Sequence, residues 1–331
     1  MPMIGLKDRL ETNSCENPFC KLCFLCYTEN VMCKDKSISK SGYVAVFDSG
    51  LGGLSVLHAL KKCMPGERYL YFGDSIHAPY GEKEPKEILR LCVANVERLL
   101  SQGAKCIVVA CNTATSAAVP YLRTCWSDLP IIGMEPAVKP AAKSDAHPRV
   151  LVMATPVTIH GNRLHQLVQN YDAEAEFILL EAPEIVRFVE HGATDRHPTE
   201  ALKRYLHELL ADYCSAASGE NRPVDAVVLG CTHFPFVRGL IQQTFDHDVG
   251  IFDGTEGTAM QTRRRLLETG LLSDTADSPD SALEKMILAD WQSTELFTAG
   301  GAEVVPAGSV FLMNSDASKL ELERNLFNEL K

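Results

Sequence analysis

The 331-residue chain has no run close to the roughly 20 apolar residues that cross a bilayer, and its opening MPMIGLKDRL lacks the roughly 7–15-residue apolar stretch of a secretory signal. The expectation is a soluble, cytoplasmic protein with no membrane partner. Positive charge is also scarce: 32 Lys and Arg stand against 43 Asp and Glu, a net charge of −11. Nucleic-acid binders are basic along one face, so this balance argues against a nucleic-acid partner.

A nucleotide-binding glycine pattern is missing too. The turn Asp48-Ser49-Gly50-Leu51-Gly52-Gly53 would need glycine at position 55 to complete G-x-G-x-x-G, and Ser55 stands there; the lysine of a phosphate-binding P-loop is absent as well. NAD and ATP are excluded at this turn, and no cofactor is expected. What remains is a tight glycine turn whose backbone N–H groups, at a helix start, suit a substrate carboxylate.

Cysteine, by contrast, is plentiful at 12 residues. Disulfide scaffolds are short exported chains, so most of these thiols are expected to be reduced. Cys15, Cys20, Cys23, Cys26 and Cys33 crowd the N-terminus, but their spacing lacks both the second CxxC of a zinc ribbon and the proline-terminated ferredoxin run. Residues 1–42, which show no helical or strand periodicity, are therefore read as a flexible Cys-rich extension with no metal.

From Tyr43 onward apolar strands and amphipathic helices alternate. YVAVFD (43–48), RYLYFGD (68–74), KCIVVAC (105–111) and PIIGMEP (130–136) form one set of strands. After AVKPAAKSD, the set RVLVMAT (149–155), EFILLEA (176–182), DAVVLGC (225–231) and VGIFDG (249–254) follows, with helices near 157–170, 183–191, 198–217, 234–245 and 255–269. Such alternation predicts an α/β fold with two similar parallel-sheet domains, flavodoxin-like and pseudo-symmetric, and an active site in the cleft between them. DTADSPDSALEK (274–285) reads as a surface linker, while STELFTAG and GSVFLMN read as short strands added to the first half.

Ligands of parallel sheets sit at the carboxyl ends of strands, which selects Asp48, Asp74, Cys111, Thr155 and Cys231. CIVVACNTATS (106–116) and AVVLGCTHFPF (226–236) share one pattern: four apolar residues, a small residue, cysteine, then polar residues. They read as equivalent positions in two related halves. A lone cysteine is most often a small buried hydrophobe, the reading given to Cys63, Cys92, Cys106, Cys125 and Cys214. Two matched thiols at the ligand face instead suggest a pair of proton-transfer groups facing each other.

The motifs VFDSGLGGLSVL (46–57), YFGDSIHAPYG (71–81), VVACNTATSAA (108–118), GMEPAVKPA (133–141), TPVTI (155–159) and VLGCTHFP (228–235) together resemble the cofactor-independent aspartate/glutamate racemase superfamily over about residues 43–270. The resemblance implies a two-thiol racemase with Cys111 and Cys231 as catalytic acid and base. Asp48 would assist Cys111, and His233 would assist Cys231, with Glu190 as a further carboxylate. Substrate binding would fall to Asp48, Ser49, Tyr80, Gly81, Asn112, Thr113, Thr155, Thr232 and His233; for Thr155, capping the next helix is an equal reading. His233 after the second Cys-Thr resembles the glutamate-specific members, where aspartate enzymes tend to carry glutamate. The implied role is interconversion of L- and D-glutamate for peptidoglycan synthesis, by a homodimer.

The family also implies a discontinuous first domain, residues 43–137 plus 248–331, around a second of 138–247. Gly161, Leu164 and Ala182 depart from the family pattern, and none is a proton-transfer position. Three other readings stay open: a racemase for another acidic amino acid such as aspartate, a cysteine hydrolase built on Cys231 and His233, and a non-catalytic amino-acid sensor.

Overall fold

The computed structural model describes residues 38–214 and 222–273, the backbone of 301–305 and 309–313, and Leu322 and Asn325. The Cys-rich run 15–33, the 274–285 linker and the 293–300 strand lie outside the described residues.

The first half is built from the predicted units. Strand β1 (Tyr43–Asp48) is wholly buried and leads through the glycine turn into α1 (Leu54–Cys63), which buries Leu54, Val56, Leu57 and Leu60. Strand β2 (Tyr69–Gly73) is followed by two 3-10 turns, Ser75–His77 and Tyr80–Glu82, and then α2 (Pro85–Ser101). Proline opens α2, where its missing N–H has no helical partner to lose, and Gly103 with φ +86° ends it. Strand β3 (Ala104–Val109), α3 (Asn112–Cys125) and β4 (Ile131–Gly133) complete this half.

A short helix, α4 (Val138–Ala142), carries the chain to the second half. There follow β5 (Arg149–Ala154), α5 (Pro156–Ile159), α6 (Asn162–Gln169), β6 (Glu176–Glu181), α7 (Pro183–Glu190), α8 (Glu200–Leu210) and β7 (Ala226–Leu229). The helix expected at 157–170 is two helices, because Gly161 takes an extended conformation between them. The one expected at 234–245 starts as a 3-10 turn, Phe234–Val237, before α9 (Arg238–Thr244). Strand β8 (Gly250–Asp253) and α10 (Thr255–Glu268) follow. Near the C-terminus are β9 (Gly301–Val305) and β10 (Ser309–Met313), the latter within the expected GSVFLMN.

The first sheet has the order β4-β3-β1-β2-β10-β9 and the second β6-β5-β7-β8. Every pairing is parallel except β9 with β10. The block β2-β1-β3-β4 repeats as β6-β5-β7-β8, so each half places its strands in the order second, first, third, fourth. Cys111 and Cys231 each stand two residues beyond the third strand of their half, as the matching sequences require.

The 249–254 strand, which the family-implied boundary groups with the first domain, hydrogen-bonds to β7 and forms the edge of the second sheet. The chain crosses back only at Gly254, after which α10 packs on α1 and β4. A Cβ at Gly254 would lie 2.2 Å from the Glu135 carbonyl, so the return crossing runs directly over the outgoing one.

The halves belong to one compact unit, and a continuous apolar cluster joins Val46, Leu51 and Leu54 of the first to Ile185, Val186 and Phe234 of the second. At the amino ends of the first sheet's strands lies a fully buried ion pair, Lys105 Nζ to Glu67 Oε2 at 2.8 Å. Lys105 also donates to the Lys40 carbonyl at 2.7 Å and Ser273 Oγ at 2.9 Å, and Ser273 N donates to Glu67 Oε1 at 2.7 Å. Every charge there has partners, the condition under which a buried pair is tolerated.

Candidate active site

The carboxyl ends of both sheets converge on Asp48. Its side chain is completely buried; Gly50 N donates to Oδ2 at 3.0 Å, Gly53 N also donates, and Thr232 Oγ1 from the other half donates to Oδ1 at 3.2 Å. Burial raises its pKa to about 6, against the opposing pull of the His233 charge and of the backbone donors.

Cys111 caps α3, its sulfur accepting from Ala114 N at 3.4 Å, and is hydrogen-bonded to the Ser49 side chain. Burial foremost, then the charge of Asp48, pushes this thiol up to about 12; the charge of Cys231 adds to the rise, which puts the two sulfurs in one electrostatic neighbourhood. The helix terminus and Ser49 pull the other way. In the free protein Cys111 is therefore a protonated acid.

Cys231 sits beside a different set of groups. His233 Nδ1 is 3.7 Å from its sulfur, and His233 Nε2 donates to Glu190 Oε1 at 2.7 Å. Burial disfavours charge on His233, but its hydrogen bonds to Cys231 and Glu190 hold its pKa well above the ordinary value. Glu190 Oε1 also accepts from Leu51 N of the glycine turn at 2.8 Å. A Cβ at Gly50 would fall 2.2 Å from Glu190 Oε1, and one at Gly52 would fall 2.4 Å from Thr232 Oγ1, so glycine is the only residue that lets the turn lie against both.

This turn differs from the sequence expectation. The amides of Gly50 and Leu51 are occupied by the protein's own carboxylates, Asp48 and Glu190, and do not lie open for a substrate.

Beside Cys111, Asn112 is buried while neither its Nδ2 nor its Oδ1 has a hydrogen-bond partner. A buried amide with both ends unpaired is costly unless something else fills them. Thr113 Oγ1 lies 3.0 Å from Thr155 Oγ1 across the two halves, and Thr155 lies 3.2 Å from Thr158 Oγ1. The Thr155 hydroxyl makes no capping bond, so the helix-cap reading is set aside in favour of this cluster. Gly81 packs on Thr155, where an added Cβ would come within 2.9 Å. The Tyr80 hydroxyl donates to Asp74 and accepts from Asn95 Nδ2 at 3.2 Å.

The geometry thus brings together Asp48, Ser49, Cys111, Thr232, Cys231, His233 and Glu190, with Asn112, Thr113, Thr155 and Tyr80-Gly81 around them. Sequence reasoning missed Thr158, Asn95 and Ser55, whose Oγ lies 2.9 Å from the Gly52 carbonyl and 3.2 Å from that of Thr232. Asp74 was visible as a strand end but not as the anchor of Tyr80 and of His77, whose Nδ1 is 2.8 Å from Asp74 Oδ1. Among the described residues no cluster of His, Cys, Asp and Glu is arranged to hold a metal, and no helix is long and apolar enough to cross a membrane.

Comparison with known proteins gives a consistent picture. Residues 55–262 match the Asp/Glu/Hydantoin racemase family model. A glutamate racemase of Clostridium perfringens is 45% identical over 235 residues, covering 71% of this chain and 87% of that protein. Among solved structures, glutamate racemase isoform RacE1 from Bacillus anthracis aligns with a TM-score of 0.63 at 27% identity, covering 77% of this chain and 95% of that one. The Escherichia coli glutamate racemase, solved with L-glutamate and the activator UDP-MurNAc-Ala, aligns with a TM-score of 0.62 at 31% identity over 76% of this chain and 94% of that one.

Proposed function

The chain belongs to the Asp/Glu/hydantoin racemase family, and on that premise we propose that Cys111 and Cys231 exchange protons with the α-carbon of glutamate from opposite faces. The protein is a glutamate racemase, an isomerase that interconverts L- and D-glutamate and supplies D-glutamate to peptidoglycan. What supports the two-thiol reading is that the sulfurs stand at equivalent strand ends of two like-ordered sheets and that the charge of Cys231 reaches Cys111.

In one direction a Cys231 thiolate removes the α-proton; the C–H electron pair stays on carbon, spread into the carboxylate, and the Cys111 thiol protonates the opposite face. In the other direction the roles exchange. His233 can take the proton from Cys231 and return it, with Glu190 holding the imidazole in line. Asp48 suits the substrate ammonium: a cation beside it offsets the negative charge that burdens Cys111 and so eases loss of that thiol's proton. Asn112, whose amide is unpaired, suits one substrate carboxylate, with Ser49, Thr113, Thr155, Thr232 and the Tyr80-Gly81 backbone completing the site.

The finer expectations travel with this reading: a cytoplasmic homodimer that uses no cofactor, nucleic acid or membrane. Sedimentation of the purified protein tests the dimer. The Cys231-His233-Glu190 chain also has the form of a hydrolase triad, but that reading leaves Cys111 without a task.

Solvent deuterium exchange at the α-carbon of L- and D-glutamate decides, with L-aspartate alongside and with Cys111→Ser and Cys231→Ser compared. Exchange with interconversion in the wild type, impaired in both variants, is the expected result. No exchange by folded wild-type protein overturns the racemase assignment.

A further inference from the structure

Helix α7 reaches from the second half to the first at two depths. On its inner side Glu190 accepts from Leu51 N at 2.8 Å and from His233 at 2.7 Å. One turn earlier, on the surface, Arg187 donates through Nη2 to Glu82 at 2.6 Å and through Nη1 to Glu184 at 2.7 Å. Glu82 closes the 3-10 turn that begins with Tyr80-Gly81. That turn is fixed to its own half by the Tyr80–Asp74 bond, while toward the other half it packs on Thr155 and α5 and is bridged by Glu82 to Arg187.

We infer that Arg187 and Glu82 are a positioning pair for racemisation, holding the Tyr80-Gly81 backbone in register with the helix that carries Glu190. The inference rests on the proposed substrate role of Tyr80-Gly81. Neither side chain reaches the reacting atoms. The same eight-residue helix sets both the His233 contact and the position of the substrate-side turn, so a substrate held by that turn is placed relative to Cys231 through Arg187. Both partners are about half exposed, so the bridge is screened by salt, and its loss is expected to change affinity modestly.

The test is a double-mutant cycle on the full chain: Arg187→Gln, Glu82→Gln, both together, and the charge exchange of Arg187→Glu with Glu82→Arg. At about 20 mM salt, each single variant is expected to raise KM for L- and D-glutamate about two- to five-fold with kcat and Tm nearly unchanged. The double variant should be no worse than either single, the exchange should recover most of the loss, and at about 0.5 M salt wild type and variants should converge.

Additive losses, an unchanged KM at low salt, or failure of the exchange to recover affinity would overturn the pair. A wild type that does not racemise glutamate would instead remove the functional reading beneath it, so the two failures are distinguishable.

Discussion

The two halves share a strand order and a thiol after the third strand, yet they surround that thiol with opposite chemistry. Cys111 caps a 14-residue helix, and burial together with the facing carboxylate of Asp48 raises its pKa; Cys231 precedes a 3-10 turn and faces the imidazole of His233, whose hydrogen bonds to Cys231 and Glu190 raise its pKa. Scaffold repetition supplies two sulfurs at matching places. Local neighbours make them unequal, one resting as acid and the other coupled to a proton carrier.

The largest test of that asymmetry is removal of either sulfur. Cys111→Ser and Cys231→Ser are each expected to lower kcat by about 10²–10⁴-fold, followed by polarimetry. Their residual deuterium exchange should favour opposite enantiomers. Identical residual exchange in both would break the comparison.

Asp48 belongs to the Cys111 side, and its ionisation opposes folding. The unfolded carboxyl releases its proton near pH 4 and the folded one near 6, so folding takes up a proton between them and stability falls as pH rises through that window. The shift corresponds to about 3 kcal/mol. Urea unfolding at pH 4 and pH 7 should show Asp48→Asn gaining about that much relative to wild type at the higher pH; a difference that stays constant with pH contradicts the assignment.

Asn112→Ala removes an amide with no partner inside the protein. KM for glutamate should rise about 10- to 100-fold, in line with the roughly 1.5–3 kcal/mol of a hydrogen bond to a charged group, while Tm stays nearly constant. A fall in Tm with unchanged KM would place the amide in the fold instead of the site.

Gly50→Ala sharpens the Cys231 side, because its Cβ would displace Glu190 from His233. A loss of about 1–3 kcal/mol in stability is expected, with reduced kcat, measured by thermal unfolding and steady-state rates. Gly257→Ala is the control: nothing lies within 4 Å of its Cβ, in the first turn of α10, so it should leave Tm unchanged or slightly higher.

What the sequence revealed divides along physical lines. Continuous apolar runs located the strands from β1 to β8; burial on both faces leaves an unbroken signal in β1, β2, β3 and β7, while the apolar run of edge strand β6 is only partly buried. The residue pattern placed VGIFDG among the second set, where it pairs with β7, whereas the family-implied boundary moved it to the first domain. Periodicity reports local environment, and a domain boundary at a crossing does not alter it.

The thiols, Asp48, Thr155 and Asp74 were legible as strand ends. Asp74's role was not, since hydrogen bonds from Tyr80 and from Asn95, 21 residues away, leave no periodic trace. Thr158 and Ser55 were hidden for the same reason. The occupied amides of the glycine turn depended on Glu190, 139 residues from Leu51, and no local rule links them.

The buried Lys105–Glu67 pair has an evolutionary consequence. It ties residue 40, just ahead of β1, and residue 273, just past α10, to one knot at the amino edge of the first sheet. The thiols lie at the opposite edge, a six-residue strand or about 20 Å away. Segments ahead of residue 40 can therefore be exchanged without shifting an atom that handles the proton, whereas after residue 273 the chain returns to the first sheet, where β10 pairs with β2. Close relatives are expected to vary most freely ahead of that knot, and to keep the lysine and glutamate that fasten it.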